Sequence, residues 1–154
     1  MLLICLFYFI IAMLTPYTCD DWVWGSEVGI ERKKNGFDNY NGRYLGNILE
    51  IVFMRQIFIK SVIMSFINTG IVFFSTKIIW KSARPINFGL IWLLIMFLPL
   101  PIFFQTYGWA AGFANYNTAA FFTLFALYIF RDFFNSEWDI RSNQPIFKLI
   151  RIVF

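Results

Sequence analysis

Four long runs of apolar residues limit what this chain can fold into more than any other feature of its sequence. They cover about residues 1–17, 57–75, 88–105 and 114–130. The one charged residue inside them is Lys60, near the start of the second run, where its side chain can reach outward toward water. A helix needs about 20 mostly apolar residues to cross a bilayer, so each run is close to one span in length. The sequence predicts an all-α membrane protein with about four transmembrane helices in one membrane domain over residues 1–154. Pro99 and Pro101 interrupt the third run.

The composition agrees with this class and excludes others. Of the 154 residues, 59% are apolar and 14% are charged, against about 45–50% and about 25% in ordinary soluble domains. So few charges would cover a small soluble domain poorly, and the high hydrophobicity excludes a disordered chain. There is no histidine, which excludes histidine-ligated metals and Ser-His triads. The net charge of +4 is interpreted as a topology signal, so the expected partner is the lipid bilayer and not a nucleic acid.

Basic residues predict the orientation, because cytoplasmic loops are enriched in lysine and arginine. The loop after the second run and the tail over residues 131–154 both carry several, namely Lys77, Lys81 and Arg84 in the loop and Arg131, Arg141, Lys148 and Arg151 in the tail. We therefore expect both termini in the cytoplasm. The outer loop over residues 18–56 and the segment Gly108–Asn117 then face outward together.

A separate helix is predicted at the end of the outer loop, over Leu45–Gln56. Its apolar residues recur at helical spacing and its polar residues fall elsewhere on the wheel; the apolar ones are Leu45, Ile48, Leu49, Val52 and Phe53. This pattern favours a helix lying in the membrane interface before the second span. The alternative is that the segment is the start of a long, tilted second span.

Two adjacent carboxylates open the outer loop. Asp20 and Asp21 follow the first run and stand beside Trp22 and Trp24, a residue type that prefers the headgroup level of a membrane. At the edge of a low-dielectric region a carboxylate becomes a better general base, and it can also bind a divalent cation. The alternative is an aspartate that caps a helix at a turn.

A basic residue stands where the outer loop enters the predicted interfacial helix. Asn41-Gly42 is a turn signal, and Arg43 follows it at the first turn of the helix. A guanidinium binds phosphate bidentately, and the free N–H groups of a helix start favour the same anion. The alternative is an arginine that contacts lipid headgroups.

A third cluster, Tyr107–Asn117, combines small residues with aromatic and amide side chains. The small residues permit close helix packing. Asn115 and Asn117 lie at the outer edge of a predicted span, where amides are able to hydrogen-bond a sugar. The alternative is an aromatic interface belt with a packed turn. In the second run, Asn68-Thr69-Gly70 is interpreted as a helix-packing position.

The order of these clusters carries a resemblance over about Leu14 to Phe130. The matching segments are Thr15-Pro16 at the end of the first run, then Asp20-Asp21 before an aromatic, then Tyr40-Asn41-Gly42-Arg43, and, two runs later, Gly108-Trp109-Ala110-Ala111-Gly112-Phe113-Ala114-Asn115-Tyr116. This set resembles the N-terminal part of a family of bacterial multi-pass membrane proteins that look like the C-type integral-membrane glycosyltransferases.

The resemblance implies an inverting enzyme of the bacterial cytoplasmic membrane. Its donor would be a polyprenyl-phosphate sugar and its acceptor a glycan or lipid of the cell envelope, on the outer face. Asp20 or Asp21 would take the proton of the acceptor hydroxyl or bind a divalent cation, and Arg43 would stabilise the departing lipid phosphate. The resemblance implies a substrate site formed by Asn41, Trp109, Asn115 and Tyr116. No covalent nucleophile is needed.

The length of the chain departs from this class, whose members have more spans. The last residues, Lys148–Phe154, read like the approach to a fifth span. We therefore expect an incomplete C-type bundle, that is, a fragment of a longer protein. The alternative is a non-enzymatic multi-pass membrane protein, such as a transporter fragment, an accessory subunit or an inert truncation product.

Overall fold

The apolar runs fold into helices. A computed structural model describes residues 1–18, 20–38, 40–80 and 82–137, with side chains through residue 131, and this part of the chain contains no strand. The helices are α1 (Leu2–Leu14), α2 (Asp21–Gly25), α3 (Glu27–Lys34), α4 (Tyr44–Arg55), α5 (Ile57–Ile79), α6 (Pro85–Met96), α7 (Leu100–Phe103) and α8 (Ala110–Glu137), with a π-helical turn (Phe104–Gly108) before α8. The all-α prediction is confirmed. Lys81 and most of the predicted tail lie outside the described residues.

Two helices of the described part are long and apolar enough to cross a membrane. They are α5, with 23 residues, and the Ala110–Arg131 part of α8, with 22. Helix α6 and the following segment Leu100–Gly108 are long enough to cross a membrane only when they are counted as one span, and the two are bent by 105° relative to each other. Helix α1 has 13 residues, about 20 Å at 1.5 Å per residue, whereas a hydrocarbon core is about 30 Å thick. Two or three spans are therefore supported, and the expected number of four is not confirmed.

Proline explains why the third apolar run is not one straight helix. Pro99 directly precedes α7 and Pro101 lies in its first turn. Proline has no N–H to donate, and its ring clashes with the preceding helical turn. The run therefore breaks after α6, as the two prolines predicted, and continues at a steep angle.

Helices α1 and α5 pack side by side in opposite directions. The carbonyl of Thr15, just after α1, accepts a hydrogen bond of 3.1 Å from Nζ of Lys60, near the start of α5. Toward the other end, Ile4 shares a buried apolar cluster with Val72. The side chain of Lys60 is only 1% exposed, with its ammonium 4.6 Å from the centre of the Tyr17 ring. It therefore folds inward and does not reach outward toward water.

Helices α5 and α8 run parallel. In the middle of α5 and early in α8, Nδ2 of Asn117 donates to Oδ1 of Asn68 at 3.3 Å. Near the end of both, the guanidinium of Arg131 donates to the carbonyl of Lys77. The segment between them, α6 to the π-helical turn, must therefore return the chain to the end of the bundle where α5 began. We call this end, where α5 and α8 both begin, the loop end.

The middle of α5 packs closely on α8. A Cβ on Gly70 would overlap the ring of Phe121, so glycine is what allows the two helices to approach. Beside it lies the buried amide pair of Asn68 and Asn117. Small residues and interhelical hydrogen bonds are the usual stabilising contacts between helices in lipid. The helix-packing interpretation of Asn68-Thr69-Gly70 is confirmed.

The outer loop is itself helical and packs on the loop end. The hydroxyl of Ser26 caps α3. The guanidinium of Arg55, the last residue of α4, donates to the carbonyls of Gly25 and Ser26 at 3.2 and 2.9 Å, which ties α4 to α2 and α3. Gln56 leaves helical geometry, with φ −139° and ψ 88°. A separate helix in the region predicted over Leu45–Gln56 is confirmed, with the bounds Tyr44–Arg55, and the alternative of one continuous second span is wrong. Its position in the membrane interface stays a prediction.

Candidate functional site

Asp21 is buried where the outer loop meets the first turn of α8. Its Oδ1 accepts a hydrogen bond from the N–H of Ala111 at 3.0 Å, and its Oδ2 accepts one from the N–H of Thr18 at 2.9 Å. The free N–H groups of a helix start favour a negative partner. Burial raises the pKa of Asp21, against the backbone N–H groups and the charge of Lys60, which lower it. This arrangement favours the capping alternative, except that the capped helix is α8 and not a neighbouring turn.

Asp20 has the opposite position. Its side chain is exposed, while its backbone carbonyl accepts hydrogen bonds from the N–H groups of Val23 and Trp24 at the start of α2. Two neighbouring carboxylates of the same loop therefore differ in access. Asp21 faces the bundle, and Asp20 is exposed at the surface.

A further buried carboxylate, Glu50, was not singled out by the sequence pattern. Helix α4 turns Asn47 and Glu50 inward, where they are 1% and 2% exposed, whereas Leu45 and Ile48 are 51% and 42% exposed. The buried side of this helix is therefore mixed, because Ile51 and Phe53 are also buried, at 4% and 0% exposed. The exposed apolar side chains fit contact with lipid, and the burial of Glu50 brings a carboxylate into the interior.

The surroundings of Glu50 disfavour its charged form. Its Oε1 accepts a hydrogen bond of 2.5 Å from Nδ2 of Asn115, and its buried Oε2 has no hydrogen-bond partner among the described residues. Burial is the main reason why the pKa of Glu50 rises from its ordinary value of 4.5 to about 7. The charges of Asp21 and Asp20 also raise this pKa, while the Asn115 hydrogen bond and the charge of Arg43 lower it.

One open cavity brings together three of the predicted site residues. Arg43, Asn115 and Tyr116 line a space of about 360 Å³ between the start of α4 and the first turns of α8. The other lining residues are Gly42, Tyr44, Leu45, Gly46, Ala114, Thr118, Ala119 and Phe122. Arg43 and Tyr116 are exposed, and Asn115 is half-buried. Residues of the outer loop and of the Gly108–Asn117 segment thus lie together, and the outward direction expected for both stays a prediction.

Asn41 supports this cavity from outside. Its Oδ1 accepts a hydrogen bond from the N–H of Arg43 and another from Nδ2 of Asn47, both of 3.0 Å. These contacts fix the turn from which Arg43 extends. Asn41 was predicted to bind substrate, but it is not among the residues that line the cavity.

Trp109 lines a different cavity. It lines a second, mostly apolar cavity of about 360 Å³ together with Ile11, Leu14, Thr15, Pro16, Thr18, Phe104 and Gly108. Its Nε1 is buried without a hydrogen-bond partner in the described part of the chain. Of the predicted substrate residues, Asn115 and Tyr116 therefore line one cavity, Trp109 lines another, and Asn41 lines neither.

The predicted divalent-cation site does not fit the residues that are present. Asp21 uses both carboxylate oxygens for backbone N–H groups, which leaves Asp20 as the accessible member of the pair. Across residues 1–18, 20–38, 40–80 and 82–137, no three His, Cys, Asp or Glu side chains lie close enough together to hold a metal ion. The chemistry proposed below therefore uses no metal.

Comparison with known proteins adds no relative. No family model, curated protein or solved structure matches this chain. The function is therefore inferred from the side chains at the loop end and from the resemblance of the sequence motifs.

Proposed function

We propose that this chain is a membrane protein of the C-type glycosyltransferase kind, which takes a sugar from a polyprenyl-phosphate donor to modify a glycan or lipid of the cell envelope. The observation that carries the proposal is the single cavity lined by Arg43, Asn115 and Tyr116. Two carboxylates that do not line this cavity complete the proposed site. Asp20 is exposed. Glu50 accepts a hydrogen bond from Asn115, and the negative charge of Asp20 raises the pKa of Glu50.

The walls of this cavity suit an amphiphilic substrate. Arg43 and Asn115 offer a cation and an amide, whereas Leu45 and Phe122 offer apolar surface. Those two apolar side chains are 51% and 50% exposed, so a bilayer around the protein would cover them with acyl chains. A lipid phosphate would thus bind with its charge at Arg43 and its chain along Leu45 and Phe122.

The residues have distinct roles in the proposed transfer. The acceptor hydroxyl oxygen forms a bond to the anomeric carbon as the bond from that carbon to the phosphate oxygen breaks. Asp20 takes the hydroxyl proton, and the polyprenyl phosphate leaves with the bonding electron pair. The guanidinium of Arg43 stabilises the charge that develops on the leaving phosphate. Attack from the side opposite the leaving group inverts the anomeric carbon.

The proposal includes an orientation in the bacterial cytoplasmic membrane, with the loop end outside and both termini in the cytoplasm. Its support is the distribution of basic residues. Lys77 and Arg131 meet at the opposite end of the parallel helices α5 and α8, and Arg84 follows in the next loop. Cytoplasmic segments are enriched in such residues. The start of α1 lies at that end as well, because α1 and α5 are antiparallel.

Sugar transfer by membranes that contain the chain tests the proposal. The assay follows transfer of a labelled hexose from its polyprenyl phosphate to endogenous envelope acceptors. We expect Asp20→Asn to lower the transfer rate by at least about 100-fold, the usual contribution of a general base. Arg43→Gln should lower it as well. Asp38→Asn and Lys34→Gln, at exposed positions of the same loop, are the matched controls and should keep the wild-type rate.

Two results would contradict the enzyme assignment. One is wild-type membranes that transfer no sugar above the level of membranes without the protein. The other is a transfer rate that Asp20→Asn leaves unchanged while the variant is expressed at the wild-type level.

A non-enzymatic membrane protein is the second candidate. The observation that favours it is the structural use of Asp21, whose two oxygens both accept hydrogen bonds from backbone N–H groups, because a carboxylate that caps a helix has a role that needs no substrate. This candidate expects exposed polar residues such as Asp20 and Arg43 to tolerate substitution. The transfer assay with the Asp20→Asn variant separates the two functions.

A further inference from the structure

The amide of Asn115 has both of its N–H groups engaged inside the protein. Nδ2 donates to Oε1 of Glu50 at 2.5 Å and to the carbonyl of Ala111 at 2.9 Å. A side-chain amide has two N–H donors and one carbonyl acceptor. Because two acceptors surround the nitrogen, the orientation of the amide is determined, and the carbonyl oxygen is the group that remains for a ligand.

Gly46 makes room for that oxygen at the cavity wall. An added Cβ on Gly46 would overlap Oδ1 of Asn115. Both residues line the cavity that also contains Arg43. The absent side chain of Gly46 therefore leaves the Asn115 carbonyl in a space that any larger residue would fill.

We infer that Glu50 is a positioning residue, which holds the Asn115 amide so that the cavity presents an acceptor oxygen near the cation of Arg43. The ligand class follows from this pair. It carries an anionic group for the guanidinium and, next to it, a hydroxyl that donates to Oδ1 of Asn115. A phosphate-linked sugar has both groups, and the choice of a sugar on a lipid phosphate rests on the proposed function.

The charge of Glu50 adds to the hold that the Ala111 carbonyl has on the amide. An ionised carboxylate only accepts hydrogen bonds and so requires Nδ2 of Asn115, whereas a protonated carboxyl also donates and permits Oδ1 to turn toward it. The charged groups that face Glu50 are Asp20 and Asp21 from the outer loop and Arg43 from the start of α4. Helix α8 contributes the neutral Asn115. Glu50 is 2% exposed, so these groups dominate its surroundings.

The positioning role is tested without any ligand, by NMR of the side-chain amide of Asn115 in the purified, isotope-labelled protein. We expect the two amide proton signals to shift as the pH passes through about 7, where Glu50 changes its protonation. Glu50→Gln should abolish this shift. Glu31→Gln, at an exposed position of the outer loop, should preserve it. Signals that do not respond to pH in the wild-type protein overturn the positioning role.

Ligand selectivity is tested with two probes in nanodiscs, a polyprenyl-phosphate hexose and the same lipid with its sugar hydroxyls methylated. Loss of one hydrogen bond of about 1.4 kcal/mol corresponds to a tenfold change in affinity, so the wild-type protein should prefer the free sugar by about tenfold. Glu50→Gln should reduce this preference to less than about threefold. Arg43→Gln should weaken the binding of both probes equally. In the wild-type protein the preference should decline as the pH is lowered through about 7, and this measurement needs no variant.

The outcomes separate the inference from the proposed function. If both probes bind through Arg43 but the preference is the same in Glu50→Gln, the positioning role is wrong and the proposed function stands. If neither probe binds while the Asn115 signals respond to Glu50, the proposed function and the ligand class are wrong and the positioning contact stands. If neither binds and the signals do not respond, both are wrong.

Discussion

Replacement of Asp21 by asparagine tests the structural role of this carboxylate directly. Asp21→Asn keeps the size of the side chain but replaces one acceptor oxygen by an NH₂ group. In the native protein the two oxygens accept hydrogen bonds from the N–H groups of Thr18 and Ala111, at 2.9 and 3.0 Å, and the side chain is 1% exposed. In the variant, one of the two N–H groups must face a donor and lose its partner.

The size of the effect follows from these contacts. Hydrogen bonds to a charged group contribute about 1.5–3 kcal/mol each, and a buried N–H without a partner costs about 1–3 kcal/mol. Asparagine keeps one of the two bonds, to a neutral oxygen. We therefore expect Asp21→Asn to lower the free energy of unfolding by about 2–3 kcal/mol. The start of α8 should loosen first, because Ala111 lies in its first turn.

The free energy of unfolding is measured by denaturant titration in detergent micelles, followed by tryptophan fluorescence. Asp20→Asn is the matched control, since it makes the same change at the exposed neighbouring position, and it should stay within about 0.5 kcal/mol of the wild-type value. An Asp21→Asn variant as stable as the wild type would refute the capping role. An equal loss in both variants would attribute the effect to the lost charge and not to the two hydrogen bonds.

Three other predictions concern stability. The free energy of unfolding should fall as the pH rises from about 4.5 to about 7, because the raised pKa of Glu50 makes the folded protein bind more protons than the unfolded chain in this range; denaturant titrations at several pH values should show no such fall for Glu50→Gln. Asn68→Leu should cost about 1 kcal/mol, a typical value for a hydrogen bond between membrane helices, and adding Asn117→Leu should cost less than the sum of the single changes in a double-mutant cycle. Gly70→Ala should lower the thermal midpoint because its Cβ meets the ring of Phe121, and Phe121→Leu should restore part of the loss; a lower midpoint in the double variant would contradict this contact.

The meeting of Arg43, Asn115 and Tyr116 in one cavity was predictable in outline from the sequence. The positions of apolar runs and basic loops determine which segments share an end of a helical bundle, because a span must cross from one side to the other. This reasoning predicted that the outer loop and Gly108–Asn117 lie on the same side of the membrane. The same reasoning did not predict that Trp109 lines a different cavity. The direction of its side chain depends on how α1 packs on the π-helical turn, which the sequence pattern does not give.

The sequence pattern did not indicate Glu50 as a site residue, and the reason is physical. On a helical wheel it lies among polar residues that would face water in a soluble protein, and α4 instead buries Asn47 and Glu50 while exposing Leu45. The signal that was available is the spacing of Gly46 and Glu50, four residues apart, which places a small residue and a carboxylate on one face. Without the position of Asn115 on α8, this spacing predicts no partner.

The sequence by itself determined that this protein is helical, since in a membrane a long apolar run satisfies every backbone hydrogen bond within itself only as a helix. It also determined the break at Pro99 and Pro101, which is a local property of proline. Only the tertiary structure decided which of two adjacent aspartates is accessible, because Asp21 is buried by Ala111 of α8, a residue distant in sequence. For the same reason, only the packing of α4 on α8 made Glu50 a buried neighbour of Asn115.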